Sequence, residues 1–252
     1  VPYADSDGVQ IYYEVEGNPE GSPLVLQHGI TGYLESWRER GYTDVLGGDY
    51  RLILIDARGH GRSDKPHEPS AYVRELRAAD VVSVLDDLGI EKTYYFGYSM
   101  GGRIGCALLS HAADRLTCAV MGGFDPYITE SAATLPETME EFGAYIDERP
   151  NLTPEVRARL MANDLEALLA SVAGSKGPAM ADGALAQEFP ILLFSGEIDV
   201  PLEGAKKAAE EATDGQFFMV PGADHQGASA DVDFVGPRVK AFLDSVAVPE
   251  SV

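Results

Sequence analysis

TYYFGYSMGGRIG, residues 93–105, changes character in its middle. Thr93–Phe96 is a strand-forming run of aromatic and β-branched residues, and the residues after Ser99 read as a helix in spite of their glycines. Gly97-Tyr98-Ser99-Met100-Gly101 therefore fits G-x-S-x-G in the context that gives the pattern meaning, a strand before it and a helix after it. A strand that turns straight into a helix forces its middle residue into a strained backbone conformation. Glycines two positions to either side remove the side chains that would collide there. The hydroxyl of Ser99 is pushed out at the carboxyl end of the sheet, where the first N–H groups of the new helix favour negative charge. The competing readings are an ordinary turn with a capping serine and a phosphate loop. The chain has neither GxGxxG nor GxxxxGK[ST], so the second has no support from those motifs.

Outward from this turn, short apolar runs alternate with helical patterns, the signature of a mostly parallel sheet with helices on both faces. Strands are expected at 10–15, 24–28, 51–56, 93–97, 116–122, 191–196 and 216–222. In VVSVLDDLGI, Val81, Val84, Leu85 and Leu88 recur at helical spacing and Gly89 marks the stop. Further helices are expected over 201–213 and 229–246. The rhythm breaks once. Between Asp125 and about Glu188 no strand is legible, whereas LPETMEEFGAYIDE, TPEVRARLMAN and DLEALLASVA all read as helices. The expected organisation is an α/β core over residues 1–124 and 188–252 with a short helical cap, 125–187, inserted after a central strand. The small residues of 173–184 read as a mobile loop.

Bulk properties narrow the function. The chain has 252 residues, 45% of them hydrophobic, and no run long enough to span a bilayer, so the expectation is one large soluble globular domain, or one domain with an insertion, without a membrane segment. The net charge is −22, from 41 acidic and 19 basic residues, and repels phosphate backbones and anionic lipid, which argues against nucleic-acid or membrane partners. Salt adaptation and a merely acidic enzyme explain that charge equally well. The two cysteines, Cys106 and Cys118, fit no metal or CxxC pattern and read as small buried hydrophobes. The first residues show no signal-peptide pattern, and a reducing, cytoplasmic location is the default expectation. No metal and no organic cofactor is expected.

A serine hydroxyl is a poor nucleophile near neutral pH and needs a base. Of five histidines, His225 in VPGADHQG follows the last strand and falls at the same sheet edge as Ser99. His60 and His67 lie in loops, and His111 lies near the far end of the helix after Ser99. His28 belongs to the loop of LVLQHGI as a brace. An imidazole in that role needs a carboxylate to fix its tautomer. Asp199, just past the strand ILLFSG, is favoured, and Asp125 in MGGFDP is the rival. The N–H of Met100 and the N–H of Ile30, beside Gly29, are the expected oxyanion donors. Losing one such donor typically costs about 2.7–4 kcal/mol of barrier. Arg103 stands one helical turn after Ser99, where it is placed either to hold a substrate carboxylate or to pair with a nearby acid or carbonyl. Tyr33, Trp37, Phe124 and Tyr127, with Tyr98, cluster after strand ends and are expected to line an apolar substrate pocket.

Taken together, LQHGI, LIDARGHGRSDKP, LDDLGI, GYSMGG, FPILLFSGEID and VPGADH…VKAFLDS resemble the serine-nucleophile branch of the α/β-hydrolase superfamily over about 24–123 and 188–245. The resemblance implies the triad Ser99, Asp199 and His225, a variable cap at 125–187, and an architectural role for the loop of Arg58 and Asp64. Dehalogenases and epoxide hydrolases of this fold carry aspartate where Ser99 stands, so the resemblance implies serine chemistry on a small ester or lactone: esterase, enol-lactonase or perhydrolase-like. GYSMGGR also resembles the pyruvate-eliminating synthase of menaquinone synthesis, and carbon–carbon bond hydrolases share the same triad. A non-catalytic binding module on this fold is the reading from another class.

Overall fold

A computed structural model describes residues 2–129, 135–148 and 152–246. Its elements in chain order are β1 (Tyr3–Ser6), β2 (Val9–Gly17), β3 (Ser22–Gln27), α1 (Glu35–Glu39), α2 (Tyr42–Leu46), β4 (Tyr50–Ile55), α3 (Arg74–Asp87), β5 (Thr93–Tyr98), α4 (Met100–His111), β6 (Leu116–Gly122), α5 (Met139–Asp147), α6 (Pro154–Met161), α7 (Leu165–Gly174), β7 (Ile191–Gly196), α8 (Leu202–Glu211), β8 (Gly215–Val220), α9 (His225–Ala230) and α10 (Val232–Ser245). The strands form one sheet in the order β1-β2-β4-β3-β5-β6-β7-β8. β1–β2 and β2–β4 pair antiparallel, and every pair from β4 to β8 is parallel. β5 is buried at every position, Thr93 to Tyr98, as a central parallel strand covered on both faces must be.

β1 lies outside the strands expected from the sequence. It pairs with β2 through the two-residue turn Asp7-Gly8, both at positive φ (53° and 83°). That dipeptide is the preferred chemistry of a tight hairpin. The two faces of the sheet are covered differently. α3, α4 and α8 pack on one face over Val25, Ile53, Tyr95 and Met121. Trp37 and Leu34 near α1, Tyr42 of α2 and Phe242 of α10 pack on the other, over Leu26, Leu54 and Phe96.

The strand order reverses between β3 and β5, because β4 lies beside β3 on one side and β6 beside β5 on the other. In open α/β sheets a crevice opens outside the carboxyl ends of the strands at such a switch point. Both the LQHGI loop and Ser99 emerge there.

Among the described residues between β6 and β7, α5, α6 and α7 are each started by a side-chain cap. Thr138, Thr153 and Asp164 accept the N–H groups of Glu141, Val156 and Ala167. Their apolar faces form a separate small cluster, Leu135, Phe142, Ile146, Leu160, Leu165 and Leu168, which meets Ile30 and Tyr33 of the core loop. The segment 173–184 departs from the mobile loop its composition suggests. α7 runs to Gly174, Ala179 and Ala184 are buried, and Ala181 N–H donates to Ser110 Oγ at 2.8 Å.

Candidate active site

The turn at Ser99 carries the strain its sequence requires. Ser99 has φ 57° and ψ −111°, a conformation that side chains with a Cβ rarely adopt. A Cβ at Gly97 would collide with the Gly101 carbonyl, and one at Gly101 with the Gln27 carbonyl. The glycines thus let β5, α4 and the end of β3 approach closely enough to fix the turn.

Three side chains from distant parts of the chain meet at this edge. His225 Nε2 is 2.9 Å from Ser99 Oγ, and His225 Nδ1 is 2.9 Å from Asp199 Oδ2. Asp199 comes from the end of β7 and its side chain is 4% exposed, while that of His225, the first residue of α9, is 37% exposed. An ionised carboxylate only accepts. Nδ1 therefore donates to Asp199, and Nε2 is left to accept from the Ser99 hydroxyl. Tyr98 OH donates to the His225 carbonyl at 2.6 Å and ties this end of α9 to β5. The rival carboxylate is engaged elsewhere: Asp125 Oδ1 accepts Tyr127 N–H at 2.8 Å. Asp224, adjacent to His225, caps α9 by accepting Gly227 N–H at 2.7 Å.

The loop after β3 closes on the serine from the other side. A Cβ at Gly29 would lie 3.3 Å from Ser99 Cβ, so only glycine leaves ordinary clearance there. Ile30 and Met100 both line the cavity above Ser99. The brace of this loop is His28, buried, with Nε2 accepting Ala57 N–H at 3.1 Å and Nδ1 donating to Gly29 O at 2.8 Å. Asp56, absent from the sequence-based site, adds a second brace. It accepts Leu34 N–H at 2.7 Å and Arg62 N–H at 2.8 Å. Arg58 and Asp64 are architectural in the same sense. Arg58 forms a buried bidentate pair with Asp80, and Asp64 accepts Gln10 N–H from β2.

The rings of His28 and His60 lie 5.2 Å apart, tilted at 57°, and burial depresses the pKa of both. Their neutral forms belong to the fold. An unfolded histidine protonates near pH 6.5, so below that value the unfolded chain binds more protons and stability falls. The expected slope is up to about 1.4 kcal/mol per pH unit for each histidine. Stability from this source is complete above that pH and is lost as acid approaches the folded values. Urea denaturation between pH 7.5 and 5, compared with His60→Asn, checks this, and the variant should lose one histidine's share of the slope. The exposed His67 acts with the opposite sign, since its hydrogen bond to Asp164 raises its pKa.

A cavity of about 460 Å³ opens over Ser99. Of the expected lining residues Tyr33, Tyr98 and Phe124 border it, Arg103 borders it as well, and so do Ile128, Tyr145, Val156, Leu160 and Val172, which the sequence reading did not single out. A helical stripe such as Val156 and Leu160 signals an inward face but not what lies inside it. Two expected lining residues stand elsewhere. Trp37 is 3% exposed in the core, its ring 4.7 Å from Phe96, because the helix α1 turns that face toward the sheet. Tyr127 packs outward against α8, with its hydroxyl on Glu211 and Lys207 Nζ 4.1 Å over its ring. Arg103 reaches the cavity wall, but its Nη2 donates to the carbonyls of Ser175 and Gly177. Among the described residues no three His, Cys, Asp or Glu side chains converge as a metal site, and no helix is long and apolar enough to cross a membrane.

The family model described as alpha/beta hydrolase fold matches residues 22–182. The chain belongs to the α/β-hydrolase family. A second model, of TAP-like proteins, matches residues 170–252. Among solved structures of the family, a hydrolase from Pseudomonas aeruginosa PA01 is 26% identical, with a TM-score of 0.83 over 96% of this chain and 98% of that one. The esterase RhEst1 from Rhodococcus sp. ECU1013 is 27% identical, with a TM-score of 0.80 over 97% and 98%. A Bacillus subtilis (strain 168) relative, provisionally named 2-succinyl-6-hydroxy-2,4-cyclohexadiene-1-carboxylate synthase, is 26% identical over 96% of this chain and 97% of its own. This α/β hydrolase therefore resembles both an esterase and a synthase along nearly its whole length.

Proposed function

We propose that this α/β hydrolase is a serine hydrolase of carboxylic esters or lactones, with Ser99, His225 and Asp199 as its catalytic residues and 125–187 as its cap. The observation that carries the reading is the line of two 2.9 Å hydrogen bonds from Asp199 through His225 to Ser99, at the foot of a mainly apolar cavity. Ser99 Oγ attacks the substrate carbonyl as its proton passes to His225 Nε2. The oxyanion that forms is held by the N–H groups of Met100 and Ile30. The tetrahedral adduct collapses to the acyl-serine, and His225 returns the proton to the leaving alkoxide. Water then attacks the acyl group, with His225 again taking the proton, and the carboxylic acid and Ser99 are released. Asp199 holds Nδ1–H throughout and offsets the imidazolium charge.

A synthase activity like that in the name of the Bacillus subtilis relative is less well supported. Gripping a carboxylated substrate calls for free cationic donors beside the serine, and Arg103, one turn from Ser99, is committed to backbone carbonyls. A fluorophosphonate probe tests the proposal. The folded protein should be labelled on the peptide containing Ser99 and should hydrolyse p-nitrophenyl butyrate. A folded protein that is neither labelled nor active overturns it.

A further inference from the structure

The chain leaves the core after β6 through 123–129 and starts back past α7 at Ser175. The two passages touch, since Gly177 N–H donates to Thr129 O at 2.7 Å. Beneath that contact lies Arg103, on α4. Its Nη2 donates to the carbonyls of Ser175 and Gly177 on the returning passage, and Nη1 points to Ile128 O at 3.5 Å on the outgoing one. Among the described residues no carboxylate stands within ion-pair distance of this guanidinium. Its charge is met by carbonyls just past the C-terminal end of α7, where a helix presents partial negative charge.

We propose that Arg103 is a positioning residue that clasps the two ends of the cap, closes one end of the substrate cavity, and so limits the length of the substrate chain accepted there. Arg103, Ile128 and Ser175 all line the cavity at that end, with Phe124 and Val172 beside them. The wall is therefore made of the groups the clasp joins. Arg77 of α3 supports it from behind. Its Nη2 donates to Ser171 O and Ser171 Oγ at 2.9 Å and to Ser175 Oγ at 3.1 Å. With that second anchor in place, removal of Arg103 opens the wall toward the cavity and leaves the cap attached.

This inference rests on the ester-hydrolase reading, and the test separates the two. Arg103→Met keeps a long side chain and removes every donor. Its kcat/KM is compared with that of the parent on p-nitrophenyl esters from acetate to dodecanoate, and on butyrates of alcohols from ethanol to dodecanol. In one of the two series the preference for long over short chains should rise about tenfold, the scale of discrimination a few methylenes can produce in an apolar pocket. Amide hydrogen exchange at Gly177 should also accelerate as the clasp is lost. An unchanged length preference in both series with unchanged exchange overturns the proposal. So does a loss confined to esters bearing a free carboxylate, which would make Arg103 an anion anchor. If the methionine variant fails to fold, Arg103→Lys, whose single ammonium cannot span both passages, carries the same comparison. A parent enzyme inactive on every ester overturns the functional reading, while the exchange measurement still tests the clasp.

Discussion

Ser99→Ala is expected to lower kcat for p-nitrophenyl butyrate by about 10⁴–10⁶-fold, as removal of a triad nucleophile does elsewhere. The hydroxyl is the group within hydrogen-bond reach of His225 Nε2, and alanine leaves nothing for that nitrogen to activate. Folding should be preserved. Serine and alanine both carry a Cβ, so the strain at φ 57° is the same in each, and the lost hydrogen bond borders an open cavity, worth about 1 kcal/mol at most. Ser99→Gly sharpens the result. It should be just as inactive, yet more stable by about 1 kcal/mol, because glycine adopts this backbone conformation without penalty. Steady-state kinetics with thermal denaturation of the three proteins checks both statements. Near-parent turnover in the alanine variant would remove Ser99 from the mechanism. A glycine variant less stable than the parent would show that the turn is not strained.

The serine was legible because its requirements are local. A strand, two glycines and a helix start leave few other readings of residues 93–105. The partners were legible at one remove, since each follows an apolar strand and parallel strands end at one edge. The preference for Asp199 over Asp125 had less to stand on, because β6 and β7 both end in a loop with an aspartate. It depends on sheet order: His225 follows β8, and β8 lies beside β7. Long-range contacts explain the remaining differences. The small residues of 173–184 carry no local sign that Arg103 and Ser110 hold their backbone. Trp37 and Tyr127 follow strand ends as the lining residues do. Proximity in sequence does not say which way a short helix or turn faces, and both point away from the cavity. β1 had a readable turn in Asp7-Gly8, but four residues are too few for alternation to register.

Asp199→Asn is expected to lower kcat by about ten-thousandfold, the size of effect that loss of the carboxylate behind a catalytic histidine produces. The Asp199 carboxylate accepts from His225 Nδ1, 2.9 Å from Oδ2, which leaves Nε2 to accept from the serine hydroxyl. An asparagine amide offers an oxygen or an NH₂ group at that site. When the NH₂ faces Nδ1, the proton moves to Nε2 and the histidine can no longer accept from Ser99. In either orientation the negative charge beside the developing imidazolium is gone. The substitution conserves shape at a side chain that is 4% exposed, so folding should survive and the loss should appear in kcat more than in KM. Asp125→Asn is the control that gives this prediction its force. Asp125 also lines the cavity, but its oxygen accepts Tyr127 N–H in a turn that an asparagine oxygen serves equally well, and turnover should stay within about tenfold of the parent. Burst-phase measurement of acylation in both variants, alongside their melting temperatures, decides the assignment. A collapse of acylation in Asp125→Asn with Asp199→Asn close to the parent would transfer the histidine's partner from the end of β7 to the end of β6.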